Sequence, residues 1–264
     1  DRKPYHAHKL TLVFSAMRHF RDDLRERGHD VTYVRADSFG EGLDEFFAGR
    51  RPEADGGDDD SGPHLQLMRP ASHGAGDQLA DANQLDQRRE LPPAYWDGET
   101  DMRCLSEAVG HVREFGYAHH IERLMVLSNF ALVYGADPAE LNEWFHLGFV
   151  DAYHWVTTPN VVAMGSFGTD VLSSKPYASS GNYVNRMSDH CADCRYAVSR
   201  TTGEGACPFN ALYWDFLKEN EETLRGTGRM GLMYSHVDKK DDEEWAAIRE
   251  RADRVRELAG DGEL

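Results

Sequence analysis

At 264 residues and a net charge of −17, with 46 acidic residues against 29 Lys and Arg, the chain is long enough for one large domain or two small ones. The charge argues against nonspecific nucleic-acid binding over the whole surface while leaving room for a local basic groove. It reads either as adaptation to high salt, where self-repulsion is screened, or as that of an ordinary acidic cytosolic protein. No run of about 18 apolar residues is present, Asp1-Arg-Lys-Pro-Tyr-His6 is not a signal peptide, and the missing initiator Met points to a fragment, so a cytoplasmic piece of chain is expected.

Residues 10–14 (Leu-Thr-Leu-Val-Phe) predict a short buried strand. Residues 15–28 predict a helix capped by Ser15 and stopped by Gly28, with Met17, Phe20 and Leu24 at helical spacing, and 31–34 predict a second strand. One strand–helix–strand unit suits a parallel sheet, but it has too few strands to cover its own faces. Residues 48–90 are rich in Gly, Asp, Pro and Gln, with no sustained period, and read as a poorly ordered linker. From Leu91 the texture turns helical, over 101–115 and 117–135. Asp137 and Pro138 then open a helix as cap and first helical residue, running to about Phe149. A shorter helix over 151–157, a loop over 158–180, and helices at Tyr183–Ser188, Asn210–Asn220 and 241–259 complete the reading, with no internal repeat. The expected architecture is mainly α: a partial α/β piece over 1–47, a linker over 48–90, and an all-α domain over 91–264.

The four cysteines, Cys104, Cys191, Cys194 and Cys207, are the strongest chemical signal. Cys191-Ala-Asp-Cys194 is followed by twelve residues and then Cys207-Pro208, while Cys104 lies 87 residues before Cys191. Four thiolates suit an iron–sulfur cluster or zinc. A proline after the last ligand favours iron–sulfur, and a single Cys-x-x-Cys knuckle is a poor zinc pattern. Ordinary buried thiols are the plain alternative. His119 and His120 open a predicted helix, where neighbours point about 100° apart, so one can face a pocket while the other packs. Either can exchange protons near neutral pH, or both can be satisfied histidines on a polar face. Trp96, Trp144 and Trp155 are scattered aromatics that by spacing alone are core. Ser174-Lys175-Pro176-Tyr177 is a polar, restricted loop, equally a ligand-binding segment or a surface turn. Nucleotide-loop and serine-elbow motifs are missing.

Several segments together resemble one family. They are Tyr117-Ala-His-His-Ile-Glu-Arg-Leu-Met-Val-Leu-Ser-Asn-Phe130, Trp144-Phe145, Asp151-Ala-Tyr-His-Trp-Val156, Pro159-Asn160-Val161, Ser174-Lys-Pro-Tyr177, Arg186-Met-Ser188 and Ala206-Cys-Pro-Phe-Asn-Ala-Leu-Tyr-Trp214. The family is the prokaryotic iron–sulfur branch of the photolyases and cryptochromes, of the bacterial (6-4) photolyase type. Leu12-Val-Phe-Ser-Ala-Met-Arg-His-Phe20 resembles a piece of its α/β antenna domain. The resemblance implies a DNA-binding, light-driven lyase that repairs ultraviolet pyrimidine lesions with FAD held in an all-α domain. It further implies a [4Fe-4S] cluster on Cys104, Cys191, Cys194 and Cys207. By position, His120 resembles the histidine that faces the lesion, with His119 beside it, and Tyr177 an active-site tyrosine. Trp144 resembles a tryptophan of the route that photoreduces flavin, with Trp96 a second candidate, and Asp151, Asn160 and Lys175 resemble flavin-pocket residues.

The chain departs from that family in length. Family members are roughly twice as long, and the helices that bind the FAD phosphates have no counterpart, so an internal deletion is expected. Residues 81–85 resemble a scrap of a family segment, and Thr157 stands near where classical photolyases place Asn beside the flavin. Three readings follow: a photolyase-type flavoprotein, a non-catalytic cluster-binding remnant, and a zinc-stapled helical module that binds a partner. A second chain completing the fold is a further expected partner besides damaged DNA.

Overall fold

The computed structural model describes residues 6–31, 79–227 and 230–264. The chain divides into two compact units, one of Asp1–Lys9 with Ser72–Leu264 and one of Leu10–Ala71. The described residues are mainly helical and contain no strand, only isolated bridges between Arg89 and Ala136 and between Ala197 and Ala206. None of their helices is long and apolar enough to cross a membrane.

In the second unit, helix α1 (Ala7–Glu26, which begins in the first) runs straight through residues 10–14. The strand expected there is corrected to helix, and Ser15 lies inside α1 rather than at its cap. The five-residue run fits both periods: Leu10, Leu12 and Phe14 alternate, but Leu10, Phe14 and Met17 also share a helical face. A strand needs a partner for its ladder, and the described residues offer none, whereas a helix satisfies its N–H groups locally. Gly28 does end the helix as expected, at φ +87°, with His29 N–H returning to the Leu24 carbonyl at 3.0 Å. Apart from Val31, the second expected strand lies outside the described residues, as do positions 48–78 of the expected linker.

The first unit contains α2 (Ala94–Asp97), α3 (Arg103–Phe115), a π-helical segment (Glu122–Ser128) continuing into α4 (Asn129–Tyr134), and α5 (Pro138–Gly148). It goes on with α6 (His154–Thr158) running into a second π segment (Pro159–Gly165), α7 (Gly181–Met187) and a 3-10 turn (His190–Asp193). Helices α8 (Pro208–Glu219), α9 (Glu221–Leu224), α10 (Gly231–Val237) and α11 (Asp242–Asp261) follow. The caps explain several boundaries. Asp137 accepts from Ala139 N–H at 2.9 Å with Pro138 at the first helical position, as read from sequence. Asp241 accepts from Glu244 N–H at 2.8 Å and starts α11.

The loop expected over 158–180 starts later than predicted, because residues 159–165 are helical. Burying Val161, Val162 and Ala163 favours keeping the segment wound past Pro159, where the wider π turn begins. Residues 79–90 also pack. Gln84 donates to the Phe167 carbonyl at 2.8 Å and Gln87 to the Leu132 carbonyl at 2.7 Å, so polar composition there supplies hydrogen bonds rather than disorder.

Helix α8 is the centre of this unit. Phe209, Ala211, Leu212, Phe216 and Leu217 are buried against α4 and α11, and Phe209 meets Phe130 edge-on at 5.6 Å. Asp215 on the same helix is fully buried and is held by Arg256 of α11 at 2.6 Å and Arg249 at 3.1 Å. The apolar seam and this ion cluster fix α11 on α8.

Candidate active site and cysteine centre

Two sites are built on this frame. The first is an open cleft of about 220 Å³ between the two π segments. His120, Arg123, Leu124 and Ser128 form one wall, Thr157, Asn160, Val161 and Met164 the other, and Phe145, Asp151 and Ala152 the base. Wide π turns are frequent at functional sites because the extra residue re-aims side chains. The two segments touch at Gly165, where a Cβ would lie 3.0 Å from the Ser128 hydroxyl oxygen and 3.3 Å from the Asn160 carbonyl.

Asp151 is fixed by a two-pronged bond from Arg123, with both N···O distances 3.0 Å. Arg123 also donates to the Ala118 carbonyl at 2.8 Å, and its guanidinium lies 4.7 Å from the Tyr117 ring centre and 4.3 Å from that of Phe149. Stacking, a bidentate pair and a backbone bond together leave this side chain little freedom. Sequence reading did not single out Arg123 as a site residue. The signal was its place at i+3 from His120, six residues after Tyr117, whose ring covers it. Glu122 Oε2 accepts from the His119 backbone N–H at 2.9 Å, and its Oε1 bonds the His111 ring at 2.9 Å, which fixes the turn carrying both histidines.

Of the residues singled out from sequence, the cleft brings together His120, Asp151 and Asn160, the last donating to the Val156 carbonyl at 2.7 Å. Trp144 is buried one layer behind it. Its ring is edge-on to Phe145 at 5.3 Å and to Tyr95 at 5.1 Å, and its indole N–H donates to the Tyr95 carbonyl at 2.8 Å. Trp96 adjoins Tyr95 in the chain and is partly exposed. His119, Lys175 and Tyr177 are exposed and do not line the cleft. Behind the base, Lys9 donates to the carbonyls of His146 and Ala152, both at 2.7 Å, tying the end of α5 to the loop that carries Asp151. Burial there, then the nearby His154 and Lys9, lowers His146 to about 4.

The second site is a small apolar pocket lined by all four cysteines, with Met102, Gly181, Val184, His190, Tyr196 and Phe209 around them. Cys104 lies in the first turn of α3, Cys191 in the 3-10 turn, Cys194 just after it, and Cys207 at the N-terminus of α8. The nearby backbone N–H groups of Phe209 and Asn210 favour the Cys207 thiolate and that of Leu105 the Cys104 thiolate, although the Asn210 and Leu105 groups donate to the carbonyls of Cys207 and Met102, both at 2.9 Å. Burial still wins: it pushes the Cys207 thiol up to about 12 and Cys104 well above the ordinary range. These are dry thiols that deprotonate readily only when a metal takes the charge. The described residues contain no group of three or more His, Cys, Asp or Glu close enough to hold a single metal ion. Gly181 leaves the space: a Cβ there would lie 2.7 Å from the Cys207 sulfur. The four-thiol donor set, with no side chain at position 181 pressing on the Cys207 sulfur, suits an iron–sulfur cluster or zinc.

Residues 1–54 match the family described as deoxyribodipyrimidine photo-lyase-related protein. A (6-4) photolyase of Agrobacterium fabrum is 46% identical over 171 residues, covering 64% of this chain and 34% of that protein. An uncharacterized protein of Acanthamoeba polyphaga mimivirus is 32% identical over 109 residues, 41% of this chain and 81% of that one. The chain thus spans about a third of the length of the photolyase it matches.

Proposed function

The chain belongs to the deoxyribodipyrimidine photo-lyase-related family, and we propose that it is a photolyase-type flavin and iron–sulfur protein acting on ultraviolet-damaged DNA, with (6-4) photoproducts as the lesion. The observation that carries this reading is the cleft, in which His120, Asp151 and Asn160 share the lining with Phe145 and Val161, and Trp144 lies behind Phe145. Residues 91–264 form the flavin and cluster domain in this reading, and 1–47 derive from the antenna domain.

FAD, when bound, supplies light-driven transfer of one electron to the lesion. The chain's own residues have separable tasks. Asp151, held by Arg123, presents a fixed carboxylate at the floor for a ring N–H. Asn160 lines the same cleft as a polar contact, and Phe145, Val161 and Met164 supply its apolar surface. His120 at the mouth has an accessible imidazole and is the proton donor or acceptor toward a flipped-out base. Trp144 is an oxidisable ring behind Phe145, and the exposed Trp96, next to Tyr95, gives that route an outlet to solvent. Cys104, Cys191, Cys194 and Cys207 hold the cluster, which clips α3, the 191–194 turn and α8 together.

One observation favours a second reading, a cluster-binding protein without catalysis. A cleft of about 220 Å³ is smaller than the roughly 300–1,000 Å³ of ordinary ligand pockets. It accommodates a flavin ring and not a whole dinucleotide, so the remaining contacts fall to other residues or to a second chain. The test is to purify the chain anaerobically, add FAD, and illuminate it with DNA carrying a (6-4) photoproduct. Light-dependent loss of the lesion that disappears in His120→Ala supports the first reading. Failure to bind FAD, with iron retained, supports the second.

A further inference from the structure

We propose that Arg251 is the counter-charge of the four-cysteine centre, so that helix α11 is electrostatically coupled to whether that centre is filled. This rests on the cluster reading above. The described residues hold two buried arginines. Arg256 has three carboxylates, Asp215 at 2.6 Å, Asp253 at 3.1 Å and Glu219 at 3.2 Å. Arg251 has none. It donates one bond, at 3.1 Å, to the carbonyl of Ala206, and its Nε is buried with no partner. At 6% exposure the side chain is largely shielded from water as well.

A buried cation without a counter-charge is costly, and chains keep one only where something compensates it. The surroundings of Arg251 identify that something. Ala206 immediately precedes Cys207, and the guanidinium lies 5.8 Å from the centre of the Tyr196 ring, which lines the cysteine pocket. The one carboxylate that acts on it electrostatically, Glu204, is exposed and forms no ion pair with it. Two other cations near this pocket are already engaged, Arg103 with Glu107 and Asp193 and Arg195 with Asp101. Four thiolates around iron carry net negative charge in either oxidation state, and one added electron makes the centre more negative. A fixed positive charge behind Cys207 therefore favours the reduced state and retention of the thiolates alike.

The test uses the anaerobically purified full chain with Arg251→Met, which keeps the apolar stem and removes the charge, and Arg251→Lys, which keeps the charge. Redox titration followed by electron paramagnetic resonance reads the cluster's midpoint potential. The expected result is a downward shift in Arg251→Met equal to at least about a tenfold change in the reduction equilibrium, or ~59 mV for one electron, with Arg251→Lys close to the unaltered chain. Stripping the metal should reverse the sign on stability: without a cluster to compensate, Arg251→Met should unfold at equal or higher urea than the unaltered chain. If Arg251→Met holds no iron, Arg251→Lys decides, and iron retention by Lys supports the charge role. A full cluster with an unmoved potential in Arg251→Met overturns the inference, as does a lysine variant that behaves like the methionine one. An unaltered chain that lacks iron and sulfide instead refutes the underlying reading, and the inference with it.

Discussion

Replacing Gly181 with alanine sets two effects of opposite sign against each other. Gly181 opens α7, and alanine is the better helix former by up to about 1 kcal/mol, so propensity alone makes Gly181→Ala stabilising. Sterics act the other way. The added methyl would stand 2.7 Å from the Cys207 sulfur, 3.2 Å from Val198 Cγ2 and 3.4 Å from the Asn210 side-chain oxygen. Cys207 cannot retreat, because it is buried at the head of α8 and its carbonyl is held by the Asn210 N–H at 2.9 Å. Asn210 is equally fixed, accepting from Gly181 N–H at 3.0 Å and donating to the carbonyls of Val198 at 2.8 Å and Arg200 at 2.7 Å. Overpacking of a rigid site costs about 1–3 kcal/mol, so the net loss should be about 1–2 kcal/mol, with the Cys207 sulfur displaced. Iron and sulfide per chain and a thermal melt, both on anaerobic protein, read the two consequences. Gly181→Ala should lose iron and melt lower than the unaltered chain. A variant with full iron and an equal or higher melting temperature would refute the claim that Gly181 makes room for a metal centre.

Removing Asp215 by substitution with alanine should cost about 3 kcal/mol in urea unfolding, since Arg256 stays buried and keeps only its partly exposed partners, whereas Arg249→Ala should cost under about 1 kcal/mol because that side chain is half exposed. Equal effects of the two would show that Asp215 is not the anchor of α11. His146 is lowered from 6.5 to about 4 by burial, so the unfolded chain binds more protons between those values. Its contribution is fully present above about pH 6.5 and is lost as pH falls toward 4, and His146→Asn should flatten that part of the stability curve. An unchanged curve would mean that the imidazole is not held neutral by the fold. Arg123→Lys removes the fork on Asp151 and the stacked guanidinium, and should weaken flavin retention about tenfold, ~1.4 kcal/mol, in an equilibrium titration. Unaltered affinity would remove Asp151 from the flavin contacts.

Legibility in the sequence followed the range of the interactions involved. Asp137-Pro138 is a local device, and the helix it opens begins where expected. The cysteines carried chemical information in their number and in Cys207-Pro208, and the long interval to Cys104 foretold convergence of distant helices, as the shared pocket shows. Residues 10–14 misled because five residues fit both periods, and the deciding factor, whether a neighbouring strand exists, is not local. The winding of 159–165 depends on burial of Val161, Val162 and Ala163, which the local sequence does not show. Gln87 was taken as part of a polar linker because composition cannot reveal that its amide reaches a carbonyl 45 residues away. Arg123 was quoted in a motif yet passed over, since its importance lies in Asp151 and Phe149, contacts that only the fold supplies.

The most direct measurement is an anaerobic visible absorption spectrum of the purified chain, with iron, sulfide, zinc and flavin determined on the same sample. The account predicts broad visible absorption with about four irons and matching sulfide per chain, and structured flavin bands after FAD is added. A colourless protein containing zinc, or no metal, would contradict it.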